Sequence, residues 1–227
     1  NLFVMAKCKF GMMMTDARGK LGGHVFTKNR AGAIIRTKVT PSNARTDRQM
    51  FIRNALSTIS ANWSPLLQSQ RDGFDGAVEQ WQGTNIFGDI VNPTGKTLFT
   101  KLNLNLVNSE QAQITAVPEK TVLPAFVVTS VEHDNGDISA NVLNNAVGFK
   151  IVVSATAPQS QGTSFFKGKY RQIGVIAGSV DPKLDLTALY AAKFGTPTVD
   201  ANVSFQFIIV LATGQASIPV TSKMIEI

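Results

Sequence analysis

Residues 34 to 39 place Ile35, Thr37 and Val39 on one side and Ile34, Arg36 and Lys38 on the other, which is the period of a β-strand. Residues 7 to 13 and 21 to 40 are predicted to form short strands. Asn29 to Gly32 supply turn chemistry between HVFTK and AIIRTKV. The pattern therefore predicts an N-terminal β-hairpin.

Basic side chains follow the second arm of this hairpin. Because neighbouring residues of a strand point to opposite faces, Arg36 and Lys38 should share one face and Ile35 should lie on the other. Lys28 and Arg30 are close to the turn. The hairpin is thus expected to carry a basic surface.

A helical period replaces the alternation after residue 45. Thr46 and Gln49 form the pattern T-x-x-Q, a capping box in which each side chain satisfies a backbone donor at the helix start. Apolar residues then recur at helical spacing. The predicted buried stripe of this first helix consists of Ile52, Leu56, Ile59 and Trp63.

Two more short helices are predicted before residue 108. Ser64-Pro65 provides a start for the second helix, and Gly73 and Gly76 weaken that helix. The third is predicted over Thr97 to Val107. The expected apolar stripes are Phe74, Val78 and Trp81 in the second helix and Leu98, Phe99, Leu102 and Leu106 in the third.

Strand-like segments dominate the second half of the chain. Residues 109 to 124 are polar, contain two prolines and show no sustained period, so they are predicted to be a linker. A short helix is expected at Leu186 to Phe194. The six strand-like segments are 126–131, 137–143, 148–156, 170–177, 202–212 and 217–224. Their spacing is typical of a β-sandwich.

The predicted fold class is mainly β with a small α part. Residues 1 to 108 form a basic hairpin-plus-helices assembly module, and residues 109 to 124 form the linker. Residues 125 to 227 form a β-sandwich domain of the immunoglobulin or fibronectin type III kind.

Charge divides the chain unevenly. Residues 1 to 71 contain twelve Lys and Arg against two acidic residues, a net charge of +10. The other 156 residues contain ten against thirteen, a net charge of −3, so the +7 of the whole chain arises in its first third. Such a division indicates a polyanion, an acidic partner surface or a repeated assembly contact.

One segment shares letters with a phosphate-binding loop. Residues 92 to 97, NPTGKT, end in G-K-T, but the full motif needs a glycine where this chain has Ile90, and a preceding buried strand. The segment is better interpreted as the start of a helix. No cofactor is therefore expected.

Catalytic and metal chemistry find little support in the sequence. His133 is close to Asp134 and Asp137 in a turn, where a metal could bind, but the third ligand that a stable site needs is not evident. The single cysteine, Cys8, excludes a cysteine-based zinc cluster. The carboxylate pairs Asp72/Asp75 and Asp181/Asp185 are explained by helix starts or solvation. No enzyme activity and no metal site are expected.

No apolar run reaches the about 18 residues that span a membrane, so no membrane partner is expected.

The basic segment is the candidate contact surface. The candidate assembly or polyanion contacts are Lys28, Arg30, Arg36, Lys38, Arg45, Arg48 and Arg53. The glycines expected to allow close approach of a neighbouring backbone are Gly19, Gly22, Gly23 and Gly32. Only Phe26 and Phe51 are nearby to stack on bases, which favours an assembly contact over nucleic acid.

The order of residues in this region resembles a motif of phage and prophage proteins. The motif comprises G-K-x-G-G-x-V-F from Gly19 to Phe26, N-R-x-G from Asn29 to Gly32, and R-x-K-V-x-P-x-N-x-R-T-x-x-Q from Arg36 to Gln49. A Q-R-x-x-F segment follows at Gln70 to Phe74. The likeness extends over roughly residues 19 to 106 and is architectural beyond residue 126.

The resemblance implies a virion protein of a tailed bacteriophage, of the crAss-like group, assembled in the host bacterial cytoplasm. Such proteins build connector rings, necks or head decoration, with short helices and a β-sandwich after the motif and no catalytic residues. The expectation is a homo-oligomeric, multi-copy ring or neck subunit of the head–tail connector. Its partners would be portal, neck or tail subunits, with packaged DNA as a further contact. A DNA-binding module and a capsid decoration protein are the alternatives.

Overall fold

Three β-sheets and four α-helices make up the described part of the chain. The computed structural model describes residues 5–30, 32–40, 42–134, 136–143, 148–197 and 201–226. It is mainly β, with 33% strand and 25% helix, which confirms the broad fold class. No helix among these residues is both long and apolar enough to cross a membrane.

The N-terminal part is a four-stranded antiparallel sheet rather than the predicted hairpin. Its strands are β1 (Met5–Cys8), β2 (Gly19–Leu21), β3 (His24–Asn29) and β4 (Gly32–Thr37), in the order β1-β4-β3-β2. The segment predicted as strand from residue 21 breaks at Gly22, which has a φ of 56° that favours glycine. Ala31, in the predicted turn before Gly32, lies outside the described residues.

This sheet contributes nothing to a core. Among the residues whose burial is described, which begin at Ala6, none before Ile59 is buried. Leu21 is 70% exposed, and Met12 and Met13 in the loop between β1 and β2 are fully exposed. A sheet normally buries one apolar face against another layer, so this one lacks its second layer within the described chain.

A helical unit follows the sheet. Its helices are α1 (Asp47–Asn62), α2 (Gln68–Gly76) and α3 (Gly95–Asn108), with a 3₁₀ helix at Ala77–Trp81 and short paired strands β5 (Gly83–Thr84) and β6 (Ile90–Val91). The N-cap part of the predicted capping box of α1 is confirmed, because the backbone N–H of Gln49 donates to Thr46 Oγ1 at 3.4 Å.

The start of α2 differs from the prediction at Ser64-Pro65. The helix begins after Leu67, whose backbone N–H donates to the side chain of Gln70 at 2.9 Å. It ends at Gly76, where a 3₁₀ turn takes over and places Trp81 against the core. The weakness expected from the two glycines thus appears as a short helix.

The helical core forms where α1, α2 and α3 meet. Leu98, Phe99, Leu102 and Leu106 are all buried on α3, which confirms its predicted stripe. The stripe on α1 is wrong at Leu56, which is 37% exposed. Ile59 is the one buried residue of α1, so only a small part of the surface of this helix packs against α3.

Polar side chains fix the irregular segment after α3. Asn103 is fully buried; its Nδ2 donates to the Ile114 carbonyl at 3.1 Å and its Oδ1 accepts from the Ile114 N–H at 2.8 Å. Gln215 makes the same two kinds of bond with the backbone of Thr121, at 2.7 and 3.0 Å. No helix or strand forms in this segment, but it is tied to both neighbouring units.

The second half folds into a seven-stranded sheet. Its strands run in the order β10-β9-β12-β13-β7-β8-β11, antiparallel except for the parallel pair β13 and β7. The strands are β7 (Val127–Asp134), β8 (Asp137–Leu143), β9 (Phe149–Ala155), β10 (Arg171–Ala177), β11 (Lys183–Asp185), β12 (Ser204–Leu211) and β13 (Val220–Glu226). All six predicted strands are present, and β11 was not predicted. The last helix, α4 (Thr187–Phe194), matches its prediction closely.

A single hydrophobic core joins both ends of this sheet. It contains Ile138 and Ala140 from β8 together with Ile151 from β9 and Phe205 and Phe207 from β12. Because β8 and β9 lie far apart in the strand order, the sheet curls around this core. Tyr190 of α4 is also fully buried there.

Candidate assembly surface

Strand pairing gives the N-terminal sheet two chemically different faces. Residues that pair directly share a face, and the face alternates along each strand. The first, called the basic face, carries Lys7, Lys20, Val25, Thr27, Ile34 and Arg36. The second, called the apolar face, carries Ala6, Cys8, Leu21, Phe26, Ala33 and Ile35, with His24 and Lys28 among its polar members.

The basic face concentrates its charge at one end. Lys20 and Arg36 both pair with Val25, so they are two strands apart, a distance of about 10 Å. Lys38 continues the alternation beyond Arg36, and its backbone N–H donates to the Gly23 carbonyl at 2.8 Å. The side chains of Lys20, Arg36 and Lys38 are all exposed. Their proximity fits the sequence prediction for Arg36 and Lys38.

Other predicted contact residues lie elsewhere. Lys28 pairs with Ala33 and therefore belongs to the apolar face, where its Nζ is 3.7 Å from Asp16. Arg30, at the turn, lines a groove with Ile90 and Val91 of β6 and with Asn92 that follows them. The register of the hairpin, which the sequence does not reveal, separates Lys28 from Arg36.

Two of the three arginines in or next to α1, Arg48 and Arg53, make local contacts. Arg48 donates to Asn108 at the end of α3, and its guanidinium lies 4.9 Å from the centre of the Phe51 ring. Partial burial lowers the pKa of Arg48. Arg53 donates to Asn43 at 2.8 Å, whereas Arg45 is exposed with a left-handed backbone φ of 46°.

The predicted glycines mark turns of the sheet. Gly19, Gly22 and Gly32 have φ values of 109°, 56° and 108°, and an added Cβ would meet nothing within 4 Å at any of them. Gly23 completes the turn between β2 and β3 without a positive φ. The positive φ values explain why glycine occupies three of these positions. The open space next to all four glycines leaves the backbone there accessible to a neighbouring chain.

The helix start at NPTGKT has a structural explanation. The N–H of Gly95 donates to Asp75 Oδ1 at 2.9 Å, and a Cβ at this position would lie 2.4 Å from that oxygen. A carboxylate thus already occupies the N-terminal end of α3, where a phosphate would bind in a nucleotide site. Thr94 caps the helix by accepting from the Thr97 N–H at 3.2 Å.

Acidic side chains gather at one end of the seven-stranded sheet. Glu132 on β7 and Asp185 on β11 both pair with Ser139 on β8, and Asp134 pairs with Asp137 one row further along. With Asp181 and Lys183, these residues line a depression of about 510 Å³. We call the five carboxylate residues Glu132, Asp134, Asp137, Asp181 and Asp185 the acidic end.

Sequence reasoning identified four of the five members of the acidic end, but it missed Glu132 and did not predict the cluster. Asp134 and Asp137 were recognised in a turn, and Asp181 and Asp185 as a separate pair. Pairing of β11 with β8 brings them together, and a three-residue strand has no period that a sequence pattern could show. Among the described residues, no group of three or more His, Cys, Asp or Glu has the geometry of a metal site.

Comparisons with known proteins add little. The chain matches no protein-family model and no curated protein. Among solved structures it is similar in part to wild-type OgpA from Akkermansia muciniphila, with 14% identity, a TM-score of 0.28 and coverage of 53% of this chain and 34% of that one. A likeness of this size, over about a third of the OgpA chain, supports no inference about fold or function.

Proposed function

We propose that this protein is a structural virion subunit of a tailed bacteriophage that acts in many copies, as a ring or neck protein of the head–tail connector. The observation that carries the assembly role is the N-terminal sheet, in which no described residue is buried. The phage setting, and the virion as its location, rest on the motif between Gly19 and Phe74.

The apolar face supports self-association through the sheet. Phe26 and Ile35 pair across β3 and β4, and Leu21 lies at the edge with 70% of its surface exposed. Covering apolar side chains contributes roughly 25 cal/mol per Å² removed from water, so a stable assembly gains by burying this face. A second copy of the chain supplies the cover.

The finer architecture of the second half also fits a structural protein. We infer an immunoglobulin or fibronectin type III arrangement, in which β7, β8 and β11 correspond to strands A, B and E. The strands β10, β9, β12 and β13 then correspond to C′, C, F and G. Such sandwich domains occur widely as assembly and surface modules.

Mass photometry of the purified full chain over a concentration series tests the proposal. We expect one discrete species at an integer multiple of 24.4 kDa, because closed symmetry gives a defined copy number. Leu21→Asp should dissociate it. Ile218→Asp, at an apolar position that is 85% exposed on the other half, is the matched control and should leave the species unchanged. A wild-type chain that stays monomeric at every concentration would contradict the proposal.

A nucleic-acid-binding module is the second candidate, because Lys20, Arg36 and Lys38 are exposed together on the basic face. Gel-shift measurements with duplex DNA at low and moderate salt separate the two functions. Affinity that falls steeply with salt would favour DNA binding, since each phosphate contact releases a counterion.

A capsid decoration protein, the remaining alternative, would bind preformed heads as a monomer or small oligomer.

A further inference from the structure

We propose that the basic face of the N-terminal sheet docks on the acidic end of a second copy of this chain, in a head-to-tail contact. This inference rests on the proposed assembly function and names the surface that the basic face meets. The apolar face is then free to bury itself in a separate contact.

The two surfaces match in spacing. On the basic face, Lys20 and Arg36 are two strands apart with Val25 between them. At the acidic end, Glu132 and Asp185 are two strands apart with Ser139 between them. Both distances are therefore about 10 Å, set by the same strand separation.

The second row of each surface matches as well. Lys38 follows Arg36 by two residues, a rise of about 7 Å along the strand. Asp134 follows Glu132 by the same number of residues on the same face and pairs with Asp137. A basic sheet face laid over the acidic end can thus place cations opposite carboxylates in two successive rows.

Charge complementarity favours the basic face of a second copy as the partner of the acidic end. The first 71 residues contain twelve cations and two acids. Residues 125 to 227 contain seven acidic and seven basic residues and have no net charge, but five of the seven acidic residues are concentrated in the acidic end, so the complementarity is local. Among the described residues that line the depression, Lys183 is the one cation. Opposite fields of this kind steer association and fix its register.

At the turn end of the β7–β8 hairpin, the carboxylates of Asp134 and Asp137 repel each other, and a cationic partner would reduce this repulsion. Asp134 and Asp137 are directly opposite each other, both exposed, and like charges at such a pair destabilise a sheet. Removing one charge should therefore stabilise the isolated chain and weaken the assembly. A variant that raises the free energy of unfolding of the monomer but weakens self-association would show that the two carboxylates act in docking. A purely structural role would not change the two quantities in opposite directions.

The contact joins different copies rather than parts of one. In a single copy, the N-terminal sheet lies beside the β5–β6 hairpin, where Lys9 Nζ is 3.2 Å from Asp89. The acidic end lies beside α4, where the Thr187 hydroxyl accepts from the Ile138 N–H at 2.9 Å and donates to the Ile138 carbonyl at 3.3 Å. A head-to-tail contact between unlike surfaces is heterologous, and such contacts form a ring when the rotation between neighbours closes.

Charge reversal on each surface tests the contact. The basic-face variant carries Arg36→Glu and Lys38→Glu, and the acidic-end variant carries Asp134→Lys and Asp137→Lys. Each alone should weaken self-association about ten-fold or more, as expected for losing close charge pairs. An equimolar mixture of the two variants should restore assembly, because each reversed face then meets a reversed partner.

Controls make the outcomes distinct. Lys96→Glu, an exposed reversal at the start of α3, should leave association unchanged. Wild-type assembly that Leu21→Asp abolishes but both charge reversals leave intact would overturn the head-to-tail contact and keep the proposed function. A basic-face variant that loses DNA binding while its self-association is unchanged would assign that face to nucleic acid. A monomeric wild-type chain would overturn both inferences.

Discussion

At the residue scale, buried amides hold the chain together where regular structure stops. Asn103 bonds both the N–H and the carbonyl of Ile114, in the manner of a strand partner. We expect Asn103→Ala to lower the free energy of unfolding by about 1–3 kcal/mol, since two backbone groups lose their partner in a buried site. Urea denaturation measures this. Asn105→Ala, which removes the single bond to the Gly214 carbonyl, should cost less.

Asp185 makes stability depend on pH. Its carboxylate accepts from the Thr187 N–H at 2.9 Å, and this bond, with that of the Thr187 hydroxyl, lowers the pKa of Asp185. A lowered folded-state pKa contributes stability above the unfolded value and loses it as the pH falls through the folded value. Asp185→Asn should therefore be less stable than wild type at pH 7.

The measurement is the urea midpoint of both proteins between pH 7 and pH 2, at concentrations where the chain is monomeric. The two curves should converge below about pH 4, the ordinary range of an aspartate. Curves that remain parallel across this window would show that the carboxylate charge contributes nothing to folding.

At the scale of elements, the turn before Gln215 determines how α3 meets the seven-stranded sheet. Gly214 has a φ of 79°, and an added Cβ would lie 2.6 Å from the Leu102 carbonyl oxygen on α3. Gly168 has a similar φ of 84° but open space around it. Both alanine variants carry the left-handed strain of about 1–2 kcal/mol. Gly214→Ala should lower the urea midpoint further than Gly168→Ala, and equal effects would argue against the contact with α3.

The N-terminal sheet should be dispensable for folding of the rest. Deleting residues 1 to 40 removes no buried side chain among the described residues and breaks the exposed ion pair of Lys9 with Asp89, worth about 0–1 kcal/mol. We expect the urea midpoint of the shortened chain to equal that of the monomeric full chain, while self-association is lost. A large fall in the midpoint would show that the sheet supports the helical unit.

The sequence predicted elements whose own period defines them. The stripe of α3 and the bounds of β8 follow from local alternation, and both are confirmed. The sequence pattern assigned Leu56 to the core, but this side chain is 37% exposed. The spacing of apolar residues along α1 does not reveal how much of the helix surface contacts α3. Strand β11 is too short for a period, and the opposite faces of Lys28 and Arg36 depend on the register of β3 and β4.

At the scale of the whole molecule, order should increase from the N terminus inward and change on assembly. Backbone amides of β2 and β3 have exposed neighbours and no core beneath them, so they should exchange hydrogen rapidly in the monomer. Those of β12, between β9 and β13 in the sheet, should exchange slowly. Hydrogen exchange at low and high protein concentration measures both. Amides of β2 and β3 that stay unprotected in the assembled state would contradict the proposed contact.

Strand β13 has a consequence for the order of events during synthesis. It is the one described strand that joins the two halves of the curled sheet, pairing with β12 on one side and β7 on the other. Because it comprises residues 220 to 226, the ribosome must translate the whole preceding sheet before these halves can be linked. The N-terminal sheet leaves the ribosome long before that moment. Nascent chains can therefore meet through their first strands while their second halves are still open, which makes neighbouring ribosomes on one message a natural place for the first subunit contacts.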